Sequence, residues 1–81
     1  MAAKVLLMND DKTTMEFVLR VLEDIFGKTR EEALKMVLEI HRDGSGVCGI
    51  YEPARALEVA ERVTALARQN HYPLRCLVEP Q

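Results

Sequence analysis

The chain has 81 residues and a net charge of −2, and 48% of its residues are hydrophobic and 30% charged. This length predicts a single domain over residues 1–81, and the composition excludes a disordered chain. The weak negative charge and the scattered basic residues argue against a nucleic-acid-binding surface. No apolar run reaches the roughly 20 residues of a membrane span, and no signal peptide is visible, so we expect an intracellular, cytoplasmic protein without a membrane partner.

The first two predicted elements meet at a strand-to-helix junction. The apolar run 5–8 is typical of a short buried strand, and apolar residues at helical spacing predict a helix over about 14–26 that ends at Gly27. Thr13 and Glu16 have the spacing of a capping box, which predicts that Thr13 caps this helix.

Three polar residues, Asn9, Asp10 and Asp11, lie between the strand and the helix. Such residues favour turns, and negative charge near a helix N-terminus is stabilising in itself. The same oxygen-rich cluster also suits a cation, either a metal ion or an amine. The segment alone leaves both interpretations open.

The rest of the chain predicts two more helices and two more strands. A second capping box, Thr29 to Glu32, starts a second helix, and the short linker before it predicts a helical hairpin. Residues 43–46 form a predicted turn, and 47–51 a strand in which Gly49 marks a bulge or a close backbone approach. Pro53 begins the third helix, which ends near 69–70, and alternation over 74–79 predicts the last strand.

The element order β-α-α-β-α-β predicts an α+β open-faced sandwich. Three strands with three helices on one face bury one side of the sheet and all three apolar helix stripes. We expect an antiparallel sheet in which the second and third strands adjoin the first.

Composition and spacing favour a binding protein over an enzyme. Cys48, Cys76, His41 and His71 lack the ligand-pair spacing of a zinc site, and the two cysteines predict a reduced, buried pair rather than a disulfide. The chain has no phosphate-binding glycine loop, and no third group is placed to orient a Cys–His pair. We therefore expect no catalytic residue, no metal and no cofactor.

The predicted hairpin brings the end of the second helix back towards the start of the first. His41, at the end of the second helix, therefore comes close to Asn9, Asp10 and Asp11. Such a histidine is more often structural than functional, but here it would complete a polar rim beside an apolar surface. The apolar side chains next to this rim are those of Thr13 (its methyl group), Met15, Val18, Val37 and Ile40.

Four blocks of sequence, in order and over nearly the whole chain, form a specific pattern. They are Asn9-Asp10-Asp11-x-Thr13-x-Met15-Glu16-Phe17-Val18, Leu38-Glu39-Ile40-His41, Val47-Cys48-Gly49-Ile50-Tyr51 and Pro73-Leu74-x-Cys76-x-x-Glu79. Together these blocks resemble the ClpS family of N-degron adaptors. ClpS-like proteins bind the free N-terminus of a substrate that begins with a large hydrophobic or aromatic residue (Leu, Phe, Tyr or Trp). They hand that substrate to a Clp-family AAA+ unfoldase with its ClpP peptidase.

The resemblance also implies roles for individual residues. Asn9 and His41 would hydrogen-bond the α-amine, Asp11 would assist directly or through water, and Asp10 would hold the following peptide backbone. The implied side-chain pocket consists of Thr13, Met15, Val18, Val37, Ile40 and Leu74.

The sequence departs from the family pattern at three places. Val37 stands where the family commonly has methionine, which predicts a wider pocket that tolerates Ile or Val as the first residue. Thr14 replaces a frequent proline, with little expected effect because Thr13 is predicted to cap. The start of the third helix lacks the T-x-E-x-A-E-T-K docking pattern, so the alternative function is a regulatory domain that docks on an unfoldase without delivering substrates.

Overall fold

The computed structural model describes residues 1–81 as three strands and three helices in the predicted order. The elements are β1 (Ala3–Met8), α1 (Met15–Asp24), α2 (Arg30–Asp43), β2 (Ser45–Tyr51), α3 (Pro53–Gln69) and β3 (Cys76–Pro80). None of the helices is long and apolar enough to cross a membrane.

The sheet is antiparallel with β1 in the centre, in the order β2-β1-β3. Residues of β1 alternate between buried and half-buried, and the buried set is Ala3, Val5 and Leu7. These three side chains belong to one core cluster together with the apolar faces of α1, α2 and α3. The predicted α+β open-faced sandwich is therefore confirmed.

Helix ends follow local chemistry, with one correction to the predictions. Thr29 and Glu32 form the predicted capping box of α2, and Pro53 is the first residue of α3. The capping box predicted for Thr13 and Glu16 is wrong. Thr14 caps α1 by accepting the Phe17 N–H at 3.2 Å, because the Thr13 hydroxyl is already donated to Asp10.

Strand β2 begins earlier than predicted and carries the predicted bulge. Gly44 alone makes the turn after α2, with φ of 88°, so Ser45 already pairs with Met8. Val5 pairs with Gly49 and Leu6 with Val47, which leaves Cys48 as the extra residue of the bulge.

Two other boundaries differ from the predictions. Helix α1 ends at Asp24 rather than near Phe26, although Gly27 takes the expected left-handed turn with φ of 68°. Strand β3 starts at Cys76 rather than at Leu74, which is buried ahead of the strand.

Candidate functional site

The loop that joins β1 to α1 is organised by the side chain of Asp10. Its Oδ1 accepts hydrogen bonds from the N–H of Lys12 at 2.8 Å and of Thr13 at 2.7 Å. Its Oδ2 accepts the Thr13 hydroxyl at 2.7 Å. One carboxylate thus fixes the loop in a single local conformation, as Asp commonly does in turns.

The same contacts keep Asp10 ionised. Its partial burial raises the pKa, but hydrogen bonds from Thr13 and Lys12 outweigh that effect and hold the pKa below its ordinary value of 3.8. A carboxylate offers about four acceptor positions and three are used, so one position on Oδ2 remains for a ligand.

Asn9 connects this loop to the end of α2. Its backbone N–H donates to the Gly44 carbonyl at 2.9 Å, and Gly44 directly follows the last turn of α2, which carries His41. The predicted return of the helical hairpin towards the loop is therefore present. The side chains of Asn9 and His41 are exposed and make no hydrogen bond within the chain, so both are available to a ligand.

A small hollow opens beside this loop, with polar groups on one side and apolar groups on the other. It brings together six of the ten predicted site residues and two that the sequence did not indicate. Its wall consists of Leu7, Met8, Asn9, Asp10, Thr13, Val18, Ile40 and Leu74. Leu7 and Met8 join the wall because β1 ends there.

The other four predicted residues lie off that wall. Asp11 and His41 are exposed at the surface, Met15 is 55% exposed, and Val37 is buried in the core at 4% exposure. The hollow holds only about 20 Å³, which is room for one water molecule and not for a leucine side chain. A side chain of that size therefore fits only if the wall opens.

Tyr72 supports the site and was missed by the sequence analysis. Its ring packs on Phe17 with centroids 4.6 Å apart, and its hydroxyl lies 3.3 Å from that of Thr14, the cap of α1. These contacts attach the segment that carries Leu74 to the start of α1. No sequence signal marks Tyr72, since the contact joins residues 58 positions apart.

The thiols and acids of the chain do not form a reactive or metal-binding site. No group of three His, Cys, Asp or Glu side chains is placed to hold a metal ion. Burial raises the pKa of Cys48 to about 12 and of Cys76 to about 11, so both remain protonated at neutral pH.

Comparison with known proteins identifies the family of the chain. The family model described as "ATP-dependent Clp protease adaptor protein ClpS" matches residues 2–77. The chain belongs to the ClpS family. By its description, this is a family of Clp protease adaptors.

Individual relatives and a solved structure extend the comparison. The ClpS adapter of Aromatoleum aromaticum is 49% identical over 94% of this chain and 74% of its own length. The ClpS adapter of Ralstonia nicotianae is 50% identical over 94% of this chain and 70% of its own length. A solved structure of Agrobacterium tumefaciens ClpS2 bound to L-phenylalaninamide is 34% identical, with a TM-score of 0.95 over 99% of this chain and 96% of that one.

Proposed function

We propose that this ClpS-family chain binds the free N-terminus of proteins that begin with a large hydrophobic or aromatic residue. It then delivers them to a Clp AAA+ unfoldase with ClpP, in the cytoplasm. The observation that carries the proposal is the hollow in which Asn9 and Asp10 face Val18, Ile40 and Leu74. A positively charged amine next to an apolar side chain is the ligand that matches such a wall.

Recognition of the amine is assigned to the polar side of the hollow. An α-amine has a pKa near 8, so it is mostly protonated at neutral pH. Asn9 and His41 have unused polar groups for it, and Asp11 adds a negative charge nearby. The free position on Asp10 Oδ2 accepts from the amine or from the next backbone N–H. Hydrogen bonds to a charged group contribute about 1.5–3 kcal/mol each, so these contacts separate an N-terminus from an internal residue.

The apolar side of the hollow is assigned to the first side chain of the peptide. In ClpS2 the bound L-phenylalaninamide combines an amine with a benzyl side chain, the same pairing of groups. Burying a Leu- or Phe-sized side chain contributes about 1.5–3 kcal/mol. Thr13, Met15, Val18, Val37, Ile40 and Leu74 form the proposed pocket once the wall has opened. After the cost of association, the predicted affinity is in the micromolar range.

Val37 is proposed to widen the range of accepted first residues. Its side chain is buried and shorter than that of methionine, so it leaves more room for the proposed pocket, which favours β-branched first residues. We expect Val37→Met to weaken binding of peptides that begin with Ile or Val relative to those that begin with Leu or Phe. Anisotropy titrations with the four peptides measure this ratio, and an unchanged ratio contradicts the role of Val37.

Delivery is the part of the function that the altered start of α3 brings into question. Glu52 is the N-cap residue of α3, but its side chain makes no capping hydrogen bond. Leu57, in the same helix, is exposed. The second candidate function, a docking domain that does not deliver substrates, rests on this feature.

A degradation assay separates the two functions. A reporter that begins with Leu is incubated with a Clp unfoldase and ClpP, with or without the protein. Proposed delivery predicts faster loss of the reporter, abolished by Asn9→Ala and unaffected by Lys12→Ala, since Lys12 contributes only its backbone N–H to the loop. Peptide binding without any acceleration by the protein would favour the docking domain.

A further inference from the structure

The outer edge of β3 is an unpaired strand edge. β3 pairs only with β1, and the Arg75 carbonyl accepts the Met8 N–H at 3.0 Å while the Gln81 N–H donates to Ala2. Antiparallel pairing alternates, so odd-numbered residues of β3 bond to β1. The N–H and C=O groups of Cys76 and Val78 therefore point outwards without a backbone partner.

Helix α3 leaves this edge accessible. Two connected hollows of about 410 and 430 Å³ run between α3 and β3. They share Thr64 and Arg68 on the helix and Cys76 and Leu77 on the strand. Below we call this surface the α3–β3 groove. Nothing in the chain covers it, so a second strand has space to lie beside β3.

We propose that the β3 edge pairs with the same edge of a second copy of this chain, antiparallel, about a twofold axis at Leu77. In this register Cys76 lies opposite Val78 of the second copy and exchanges both backbone hydrogen bonds with it. By symmetry, Val78 exchanges both backbone hydrogen bonds with Cys76 of the second copy. The result is a continuous six-stranded sheet with closed point symmetry.

The charges on β3 are self-complementary in this register. Arg75, Leu77 and Glu79 alternate with Cys76 and Val78 and therefore share the sheet face opposite the helices. Arg75 of each copy lies opposite Glu79 of the other, which gives two such pairs. The two copies of Leu77 lie opposite each other at the axis. Neither Arg75 nor Glu79 has an ion-pair partner within its own chain. Cross-strand pairs of opposite charge favour pairing.

Other registers are disfavoured by the same residues. Moving the axis to Arg75 or to Glu79 places two like charges opposite each other, which opposes pairing. Pro80 has no N–H, so the ladder cannot extend beyond it. Charged residues usually discourage edge pairing. Registers centred on Cys76 or Val78 set a charged residue opposite Leu77, so only the register centred on Leu77 places opposite charges face to face.

The helix layer allows the same arrangement. Thr64 lies in the groove near Leu77, with the acidic Glu61 one turn before it and the basic Arg68 one turn after it. Neither has an ion-pair partner within the chain. Two antiparallel copies of α3 near this axis bring Glu61 of one towards Arg68 of the other, and Ala60 and Ala65 permit a close approach.

The pairing leaves both candidate peptide sites open. The hollow is lined by Leu74, two residues before β3, and antiparallel strands carry their starts at opposite ends. A dimer therefore presents two hollows at opposite ends of the paired strands. The dimer and the proposed peptide binding are independent, since no residue of the proposed strand pair lines the hollow.

Sedimentation velocity over a concentration series up to about 1 mM tests the pairing, because a short interface binds weakly. We expect the weight-average mass to rise from 9.2 kDa towards twice that value. The variants Glu79→Arg and Arg75→Glu should each weaken association about tenfold or more. Circular dichroism checks that both variants are folded.

Charge exchange makes the test specific. An equal mixture of the two single variants, and the double variant that carries both changes, should each regain association, because opposite charges again face each other. A mass that stays at 9.2 kDa overturns the proposal, as does association that the single variants leave unchanged or that neither charge exchange restores. Peptide binding, measured on the same samples, reports separately on the proposed function.

Discussion

The hollow beside Asn9 is much smaller than the α3–β3 groove, but it brings together a greater variety of chemical groups. The hollow has a volume of about 20 Å³, whereas the larger part of the groove has about 430 Å³. The hollow nevertheless combines an ionised carboxylate, a free amide and buried apolar side chains within one wall. The groove is an open surface with a strand edge. Size alone therefore does not locate a ligand site; converging polar groups beside apolar ones do.

The two regions also differ in how firmly they are built. The apolar wall of the hollow is part of the core, since Val18, Ile40 and Leu74 are 9%, 4% and 6% exposed. The groove is lined by surface residues such as Leu57, which is 56% exposed, and reaches buried residues only where it meets Ala67 and Leu74. A pre-built site suits recognition of one small chemical group, and an open edge suits pairing with another chain.

The largest expected effect comes from truncating the wall of the hollow. Ile40→Ala removes a buried side chain that lines the hollow and not the groove, and should lower the free energy of unfolding by about 2–5 kcal/mol. The matched control, Leu57→Ala in the groove, should change it by about 0.5 kcal/mol or less. Urea titrations measure both values. Equal losses would show that the two walls are not built differently.

A smaller effect is expected for the carboxylate that organises the loop. Asp10→Asn keeps the shape but removes the charge, and should cost about 1 kcal/mol at neutral pH, since the group is only partly buried. Asp11→Asn is the control, because the Asp11 side chain accepts no hydrogen bond within the chain.

The pH dependence of that loss has a defined sign. The folded-state pKa of Asp10 is lowered, so its stabilising contribution is fully present above the ordinary value of 3.8 and is lost as the pH falls below it. Unfolding measured at neutral pH and at about pH 2 should show the difference between wild type and Asp10→Asn shrinking at the lower pH. A difference that persists would mean that the charge is not the cause.

The smallest expected effect sharpens the separation of the two regions. Glu79→Arg lies at the strand edge, on the sheet face opposite the helices, and away from the hollow, so it should change the affinity for a peptide beginning with Leu by less than about twofold. Anisotropy titration below the concentration at which the chain associates measures this. A larger change would show that the edge and the hollow are coupled.

The order of elements and most of the site were predictable from the sequence. Periodicity predicted all six elements. The short linker before Thr29 correctly predicted that α2 runs back towards the loop. The polar residues Asn9 and Asp10 were recognisable because they follow a buried strand directly. These features depend on residues that are close together in the sequence, so the sequence alone indicates them.

Features that depend on competition or on distance were not predictable. Thr13 has the spacing of a cap, but Asp10 takes its hydroxyl and Thr14 caps instead. Tyr72 contacts Thr14, which is 58 positions away in the sequence, and no sequence pattern predicts this contact. Val37 was expected in the pocket, but packing among several elements places it in the core and off the wall of the hollow.

The central claim, recognition of a free α-amine beside an apolar side chain, is tested most directly by one titration. Two fluorescent peptides that begin with Leu and differ only in acetylation of the α-amine are titrated with the protein and followed by anisotropy. We predict micromolar binding of the free peptide and a loss of about a hundredfold or more on acetylation, because at least two charge-assisted hydrogen bonds disappear. Equal binding of the two peptides, or binding of neither, would contradict the account.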